Sequence, residues 1–250
     1  MNKIPVQKSF IANTVTSLNI FSGFVSIIFA SQNDFRMASI FIIVAAIFDT
    51  LDGIVARLLG TSSMFGVELD SLSDVVSFGA APAFLVYQAY AHQFGVWGII
   101  LSSLLLIFGA LRLARFNINV GDIKTKGDFT GLPIPLSAIT ISLLVFSFHN
   151  ENGMIEPFNY VMIPLVVLLS FLMVSKIRYN ALPKLKNKKF TKKIFYFIIL
   201  SIVLILAIIT NGQILFYIFI SIILFGILRQ FYNLIFTKKE THNQIKTSEN

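Results

Sequence analysis

A chain of 250 residues that is 56% hydrophobic and only 13% charged, with a mean hydropathy of +0.79, is not a water-soluble domain, whose charged share is about one quarter. The net charge of +8 could mark a nucleic-acid binder in a soluble protein; in so apolar a chain the placement of the basic residues reports topology instead, and no nucleic-acid partner is expected. Cysteine is absent, which excludes a disulfide framework and a thiolate metal site.

The hydropathy pattern predicts an all-α, polytopic transmembrane bundle of about eight helices with both termini cytoplasmic. Residues 1–13 are a short basic lead-in with Lys3 and Lys8. The apolar run Thr14–Ser31 reads as the first span rather than a cleaved signal, because it carries Asn19 and Ser22 and lacks a small-x-small cleavage site. Further spans are expected at Phe35–Leu59, Asp70–Tyr90, Gly95–Phe116, Pro133–Phe148, after Pro157 to Val174, Ile194–Thr210 and Ile214–Phe236. A polar loop, Asn117–Gly131, joins the fourth and fifth, a turn at Glu151–Pro157 follows the fifth, and the lysine-rich stretch Lys176–Lys193 precedes the seventh. Residues 1–236 read as one membrane domain without internal repeats, and 237–250 as a polar disordered tail.

Eight spans place every Lys and Arg except Arg36 on the side that holds both termini and the loops after helices two, four and six. The positive-inside rule assigns that side to the cytoplasm of the cell (inner) membrane. The lysine-rich loop would also attract anionic lipid head groups. His92, His149 and His242 are isolated and read as interfacial.

One stretch breaks the apolar pattern. Asp49 and Asp52 lie three residues apart on the second span, and Asp70 and Asp74 four apart on the third, so each pair shares a helix face. A carboxylate at the centre of a spanning helix costs roughly 2.5–3.5 kcal/mol, and four together repel one another, so the site calls for cations. An all-oxygen ligand set suits Mg2+ or Mn2+ rather than zinc or copper. The rise between Asp49 and Asp52, about 4.5 Å, is compatible with two ions roughly 3.5–4 Å apart. Two divalent ions balance four carboxylates and leave phosphate oxygens as further ligands, which points to phosphoryl transfer. Gly53, Ala56 and Gly66 would let a ligand approach the helix backbone, or serve helix packing; Arg57 can pair with phosphate or anchor the interface.

The full pattern, D-x-x-D-G-x-x-A-R, eight residues, then G-x-x-x-D-x-x-x-D over Asp49–Asp74, resembles the signature of the CDP-alcohol phosphatidyltransferase family at every fixed position. The resemblance implies metal-dependent transfer of a phosphatidyl group from a CDP-linked lipid to an alcohol, with release of CMP. It implies that Asp49, Asp52, Asp70 and Asp74 hold the metals, that Asp74 doubles as general base, and that Asp52, Gly53, Ala56, Arg57 and Gly66 line the CDP site. It also implies a homodimer and a family core of about residues 10–175 with two further helices at about 194–236. Asn13, Thr16 and Asn19 share a face of the first helix at threefold spacing and are expected to reach the nucleotide.

R-L-A-R-F-N at Arg112–Asn117 and F-T-G-L-P-I-P at Phe129–Pro135 resemble the membrane-embedded phosphatidylserine synthase branch of that family. CDP-diacylglycerol and L-serine are the partners it implies, beside the lipid bilayer. Arg112 and Arg115, three apart and near Asn117, supply cations for a serine carboxylate, or else anchor the membrane interface. Gly131, Pro133 and Pro135 would shape a rigid loop over the pocket, or simply start the fifth helix. A sister enzyme with glycerol 3-phosphate or inositol phosphate as acceptor stays open, as does, in a different class, a carboxylate-lined divalent-ion transporter.

Overall fold

The computed structural model describes residues 6–60, 63–120, 131–177 and 205–248. Its elements in chain order are α1 (Val6–Ser31), α2 (Phe35–Leu59), α3 (Met64–Asp74), a π-helical turn (Val75–Ala80), α4 (Ala81–Ala89), a 3-10 turn (Ala91–Phe94), α5 (Val96–Val120), α6 (Ile134–Phe148), a two-stranded hairpin, α7 (Phe158–Val174) and α8 (Gln213–Ser248). The hairpin pairs β1 (His149–Asn150) with β2 (Gly153–Met154), His149 opposite Met154. Five segments are long and apolar enough to cross a membrane: Phe10–Ser31, Phe35–Leu59, Met64–Ala89, Val96–Ile118 and Gln213–Gln230. Ile134–Phe148 and Phe158–Val174 are shorter apolar helices. Most of the expected seventh span lies outside the described residues, so about eight crossings become five spans and two shorter helices among those described.

Local chemistry sets the helix ends near the acids. Asp34 caps α2 by accepting the Met37 amide at 3.0 Å, and Gly60, at φ +65°, ends it in the left-handed conformation that glycine adopts without strain. Ser63 caps α3 by accepting the Gly66 amide at 3.0 Å. The third span therefore begins at Met64, six residues before the expected Asp70, and both Gly66 and Asp70 are helical.

Helix α6 is the central element, with ten of its fifteen residues buried. It packs on α2, α7, α4 and α8. Its buried Thr140 and Ser142 donate to the Leu136 and Ala138 carbonyls of their own helix, at 2.7 and 2.9 Å, so no polar atom of these two is wasted in the core. Helices α1 and α2 form the most extensively packed pair, pinned by Ser26, whose hydroxyl donates to the Ala38 carbonyl at 2.8 Å.

Two expectations change. Asn117, expected to open a loop, is helical because α5 runs on to Val120. The expected disordered tail after Phe236 is instead a continuation of α8 to Ser248. No Gly or Pro occurs between Ile227 and Ser248, and Lys, Glu and Gln sustain helix.

Candidate active site

Helix α2 presents Asp49 and Asp52, and α3 presents Asp70 and Asp74. Carboxylate oxygens of Asp49, Asp70 and Asp74 all lie within 4.8 Å of one another. Asp74 and Asp52 are buried, at 8% and 7% exposure, and Asp49 and Asp70 are half-buried. Asp74 Oδ1 and Asp52 Oδ2 are buried without a hydrogen-bond partner. Carboxylates that converge from two helices, with buried oxygens lacking donors beside them, are a poor arrangement for a protein alone and a good one for a hard cation. The residues fit a divalent metal centre.

Beside the acids is a cavity of 180 Å3. Helix α2 lines it with Asp52, Gly53, Ala56 and Arg57, α3 with Gly66 and Asp70, and α1 with Asn13 and Thr16. Asp70 thus belongs both to the carboxylate cluster and to the cavity wall. A Cβ on Gly66 would stand 3.2 Å from Ser63 Oγ and 3.7 Å from Asn13 Oδ1, so a larger residue would crowd this end. Arg57 is exposed and turns back to donate from Nε to the Gly53 carbonyl at 2.7 Å, which holds its guanidinium above the cavity.

Helix α1 is fixed against the acid-bearing span by two serines one helical turn apart. Ser73 Oγ donates to the Thr16 carbonyl at 3.3 Å and Ser77 Oγ to the Asn19 carbonyl at 2.9 Å. The approach needs Gly23, where a Cβ would overlap Ser77. Asn19 does not line the cavity; it is fully buried, with neither side-chain polar atom partnered. The contact region coincides with the π-helical turn that follows Asp74 directly, a device frequent at functional sites. Sequence patterning gave no sign of that turn.

The residues expected around an acceptor divide. Arg112 is half-buried within electrostatic reach of Asp74, and its Nε is buried without a partner. Arg115 instead donates from Nη1 to the Val174 carbonyl at 3.1 Å, tying α5 to the end of α7. Asn117 donates from Nδ2 to Ser71 Oγ at 3.0 Å, joining α5 to α3. Gly131, at φ +88°, is buried against α7; its amide donates to the Ile177 carbonyl at 2.8 Å, and a Cβ there would overlap the Met173 carbonyl. Pro133 precedes α6. The expected loop between Asn117 and Gly131, with Lys124 and Lys126, falls on residues 121–130, outside those described, and so does most of the lysine-rich stretch.

Residues 9–172 match the family described as CDP-alcohol phosphatidyltransferase. The chain is 40% identical over 196 residues to the CDP-diacylglycerol--serine O-phosphatidyltransferase of Helicobacter pylori (strain ATCC 700392 / 26695), covering 77% of this chain and 80% of that one. It is 42% identical over 176 residues to the archaetidylserine synthase of Methanothermobacter thermautotrophicus, covering 68% and 70%. To the CDP-diacylglycerol--serine O-phosphatidyltransferase of Bacillus subtilis (strain 168) it is 32% identical over 179 residues, covering 72% and 90%.

Proposed function

We propose that this chain, which belongs to the CDP-alcohol phosphatidyltransferase family, transfers the phosphatidyl group of CDP-diacylglycerol to the hydroxyl of L-serine, giving phosphatidylserine and CMP. The observation that carries the reading is the convergence of Asp49, Asp70 and Asp74 beside a cavity whose wall includes Asp52, Gly53, Ala56 and Arg57. The names borne by the relatives supply serine as acceptor.

The steps follow from the side chains. The CDP moiety lies in the cavity of α1, α2 and α3, where Gly53 and Ala56 allow close approach and Arg57 pairs with phosphate. Asp49, Asp52, Asp70 and Asp74 hold Mg2+ or Mn2+, which when bound neutralises phosphate oxygens and the departing CMP. Asp74 accepts the serine hydroxyl proton as the serine oxygen bonds to the phosphorus that carries diacylglycerol. The bond from that phosphorus to the bridging oxygen breaks, and CMP leaves with the electron pair. Arg112, with its Nε unpaired near Asp74, binds the serine carboxylate and so orients the hydroxyl. Arg115 braces α7 instead. The distribution of Lys and Arg supports an active site facing the cytoplasm in the cell membrane, and the family resemblance supports a homodimer.

The test is CMP release by purified protein with CDP-diacylglycerol, either metal, and serine, glycerol 3-phosphate or inositol phosphate in parallel. Serine-dependent release is expected. Release with another acceptor only would keep the family and overturn serine.

A further inference from the structure

A second cavity meets the acids at Asp49 and shares no lining residue with the nucleotide cavity. It measures 410 Å3 and lies between α2, α6 and α8. Asp49 stands in its wall, next to Thr50, and beyond them the lining is apolar. The Thr50 hydroxyl is engaged with the Ala46 carbonyl at 2.9 Å, so it brings no free donor into the groove. From Asp49 the wall continues along α2 to Ile43, about 9 Å of helical rise, and along α6 to Leu143. Helix α8 supplies the third side with Leu215 and Phe219.

Next to the Leu215 wall, outside the groove's own lining, is a cluster of rings. Phe216, beside Leu215, packs edge-on against Phe148 and Phe158, with centroids 5.5 and 6.1 Å apart, and those two rings stack at 3.6 Å. Phe148 is the last residue of α6, so this cluster sits a full helix length from Pro135, which lines the groove near Asp49. The groove has Asp49 at one end and apolar walls beyond it, and the ring cluster adjoins its lining at Leu215.

We infer that this groove receives an acyl chain of the lipid donor and that Leu215 and Phe219 on α8 determine which chain lengths are accepted. The inference rests on the reading that the donor is a diacyl lipid nucleotide. A lipid whose phosphate lies at Asp49, Asp70 and Asp74 needs an apolar exit contiguous with them, and this groove has Asp49 in its own wall. The 180 Å3 cavity, with Asn13, Thr16, Asp52 and Arg57, has the chemistry of a head group instead. Helix α8 lies beyond residues 9–172 matched by the family, so this side of the groove belongs to the part of the chain outside the matched residues. Bilayer tails are as apolar as the groove, so occupancy adds little net affinity. Discrimination comes from packing against Leu215 and Phe219 and the ring cluster beside them, where an added methylene has to displace side chains.

The first test uses unmodified full-length protein in lipid nanodiscs, with CDP-diacylglycerol carrying a diazirine near the end of one acyl chain. Photolabel on α8 around Leu215–Phe219, or on Leu143, is expected; label confined to helices other than α2, α6 and α8 overturns the proposal. The second compares serine-dependent CMP release across a series of saturated chain lengths for wild type, Phe219→Ala and Phe219→Trp. The long-to-short ratio of kcat/KM is expected to rise about threefold to tenfold in Phe219→Ala and to fall by a similar factor in Phe219→Trp; unchanged ratios overturn the proposal. Wild-type protein that released no CMP from any chain length would sink the functional reading instead, a result separate from where the label falls.

Discussion

Two polar regions about 27 Å apart along α2 differ in how they employ their charges. At the hairpin end a cavity of 540 Å3 is lined by Asp34, Arg36, His92, His149 and Glu151, three times the volume of the 180 Å3 cavity at the acids. Most of its polar groups have structural work. Asp34 caps α2, Arg36 lies 4.9 Å from the Phe146 ring centroid, His92 Nδ1 is 3.3 Å from the Tyr87 carbonyl, and His149 meets the Phe35 ring edge-on at 4.6 Å. At the acid end Asp74 Oδ1, Asp52 Oδ2 and Arg112 Nε are buried and unpaired. The larger cavity is thus the one whose polar groups are mostly occupied, and these buried polar atoms without partners gather at the acid end.

That contrast can be broken most severely at Asp74. Asp74→Asn is expected to lower serine-dependent CMP release by about 10²–10⁴-fold, while its thermal unfolding in metal-free detergent stays level or improves, since one of four mutually repelling carboxylates is gone. A sharp loss of stability would instead make the acids structural. Next comes metal removal: EDTA should abolish release, and Mg2+ or Mn2+ should both restore it and raise the unfolding temperature. The stabilisation is about 2.7 kcal/mol at a hundredfold excess over Kd, and Asp70→Asn should erase much of that shift.

A finer contrast lies between the two arginines of α5. Arg112→Gln should raise the KM for serine with little change in that for CDP-diacylglycerol. Arg115→Gln should cost about 1–2 kcal/mol of stability through its lost bond to the Val174 carbonyl, with the serine KM unchanged. Equal KM effects from both would restore the paired-arginine pocket.

The smallest effect belongs to the hairpin end. Burial pushes His149 below the ordinary histidine value of 6.5, against an opposing backbone contact at Ala89. Its neutral form is favoured on folding, so stability is full above pH 6.5 and declines as the pH falls below it, where the unfolded chain takes up a proton first. His149→Gln should flatten that decline in a pH series of thermal unfolding and leave CMP release within about twofold, because the half-buried ring lies at the end of the bundle away from the acids.

The bounds of α2 were legible because a capping Asp and a terminal Gly bracket an unbroken apolar run. The acid spacing likewise carried three of four carboxylates to one point, and Asn13 and Thr16 to the adjoining cavity. The start of α3 was harder to read: Ser63 caps it, but Gly66 stands where a capping-box Glu or Gln would have signalled the turn. The different partners of Arg112 and Arg115 could not be read from spacing, because shared helical phase says which face a residue occupies and nothing of which neighbour it meets there. Asn19 has the same phase as Thr16, yet packing against the π-helical turn seals it in the core.

The π-helical turn after Asp74 makes the acid-bearing span sensitive to counting. It holds an extra residue relative to regular helix, so removing one residue within Val75–Ala80 would let the span relax into an unbroken α-helix of acceptable length and hydropathy. A residue of π-helix turns less than one of α-helix, so the same deletion would leave Asp70 and Asp74 near their present phase relative to α4 and would remove instead the widened turn that carries Ser77 to the Asn19 carbonyl. A single-codon deletion there would be nearly invisible to membrane insertion and would unseat α1 from the acid-bearing span, so in this stretch the length of the chain is under tighter constraint than the identity of its apolar residues.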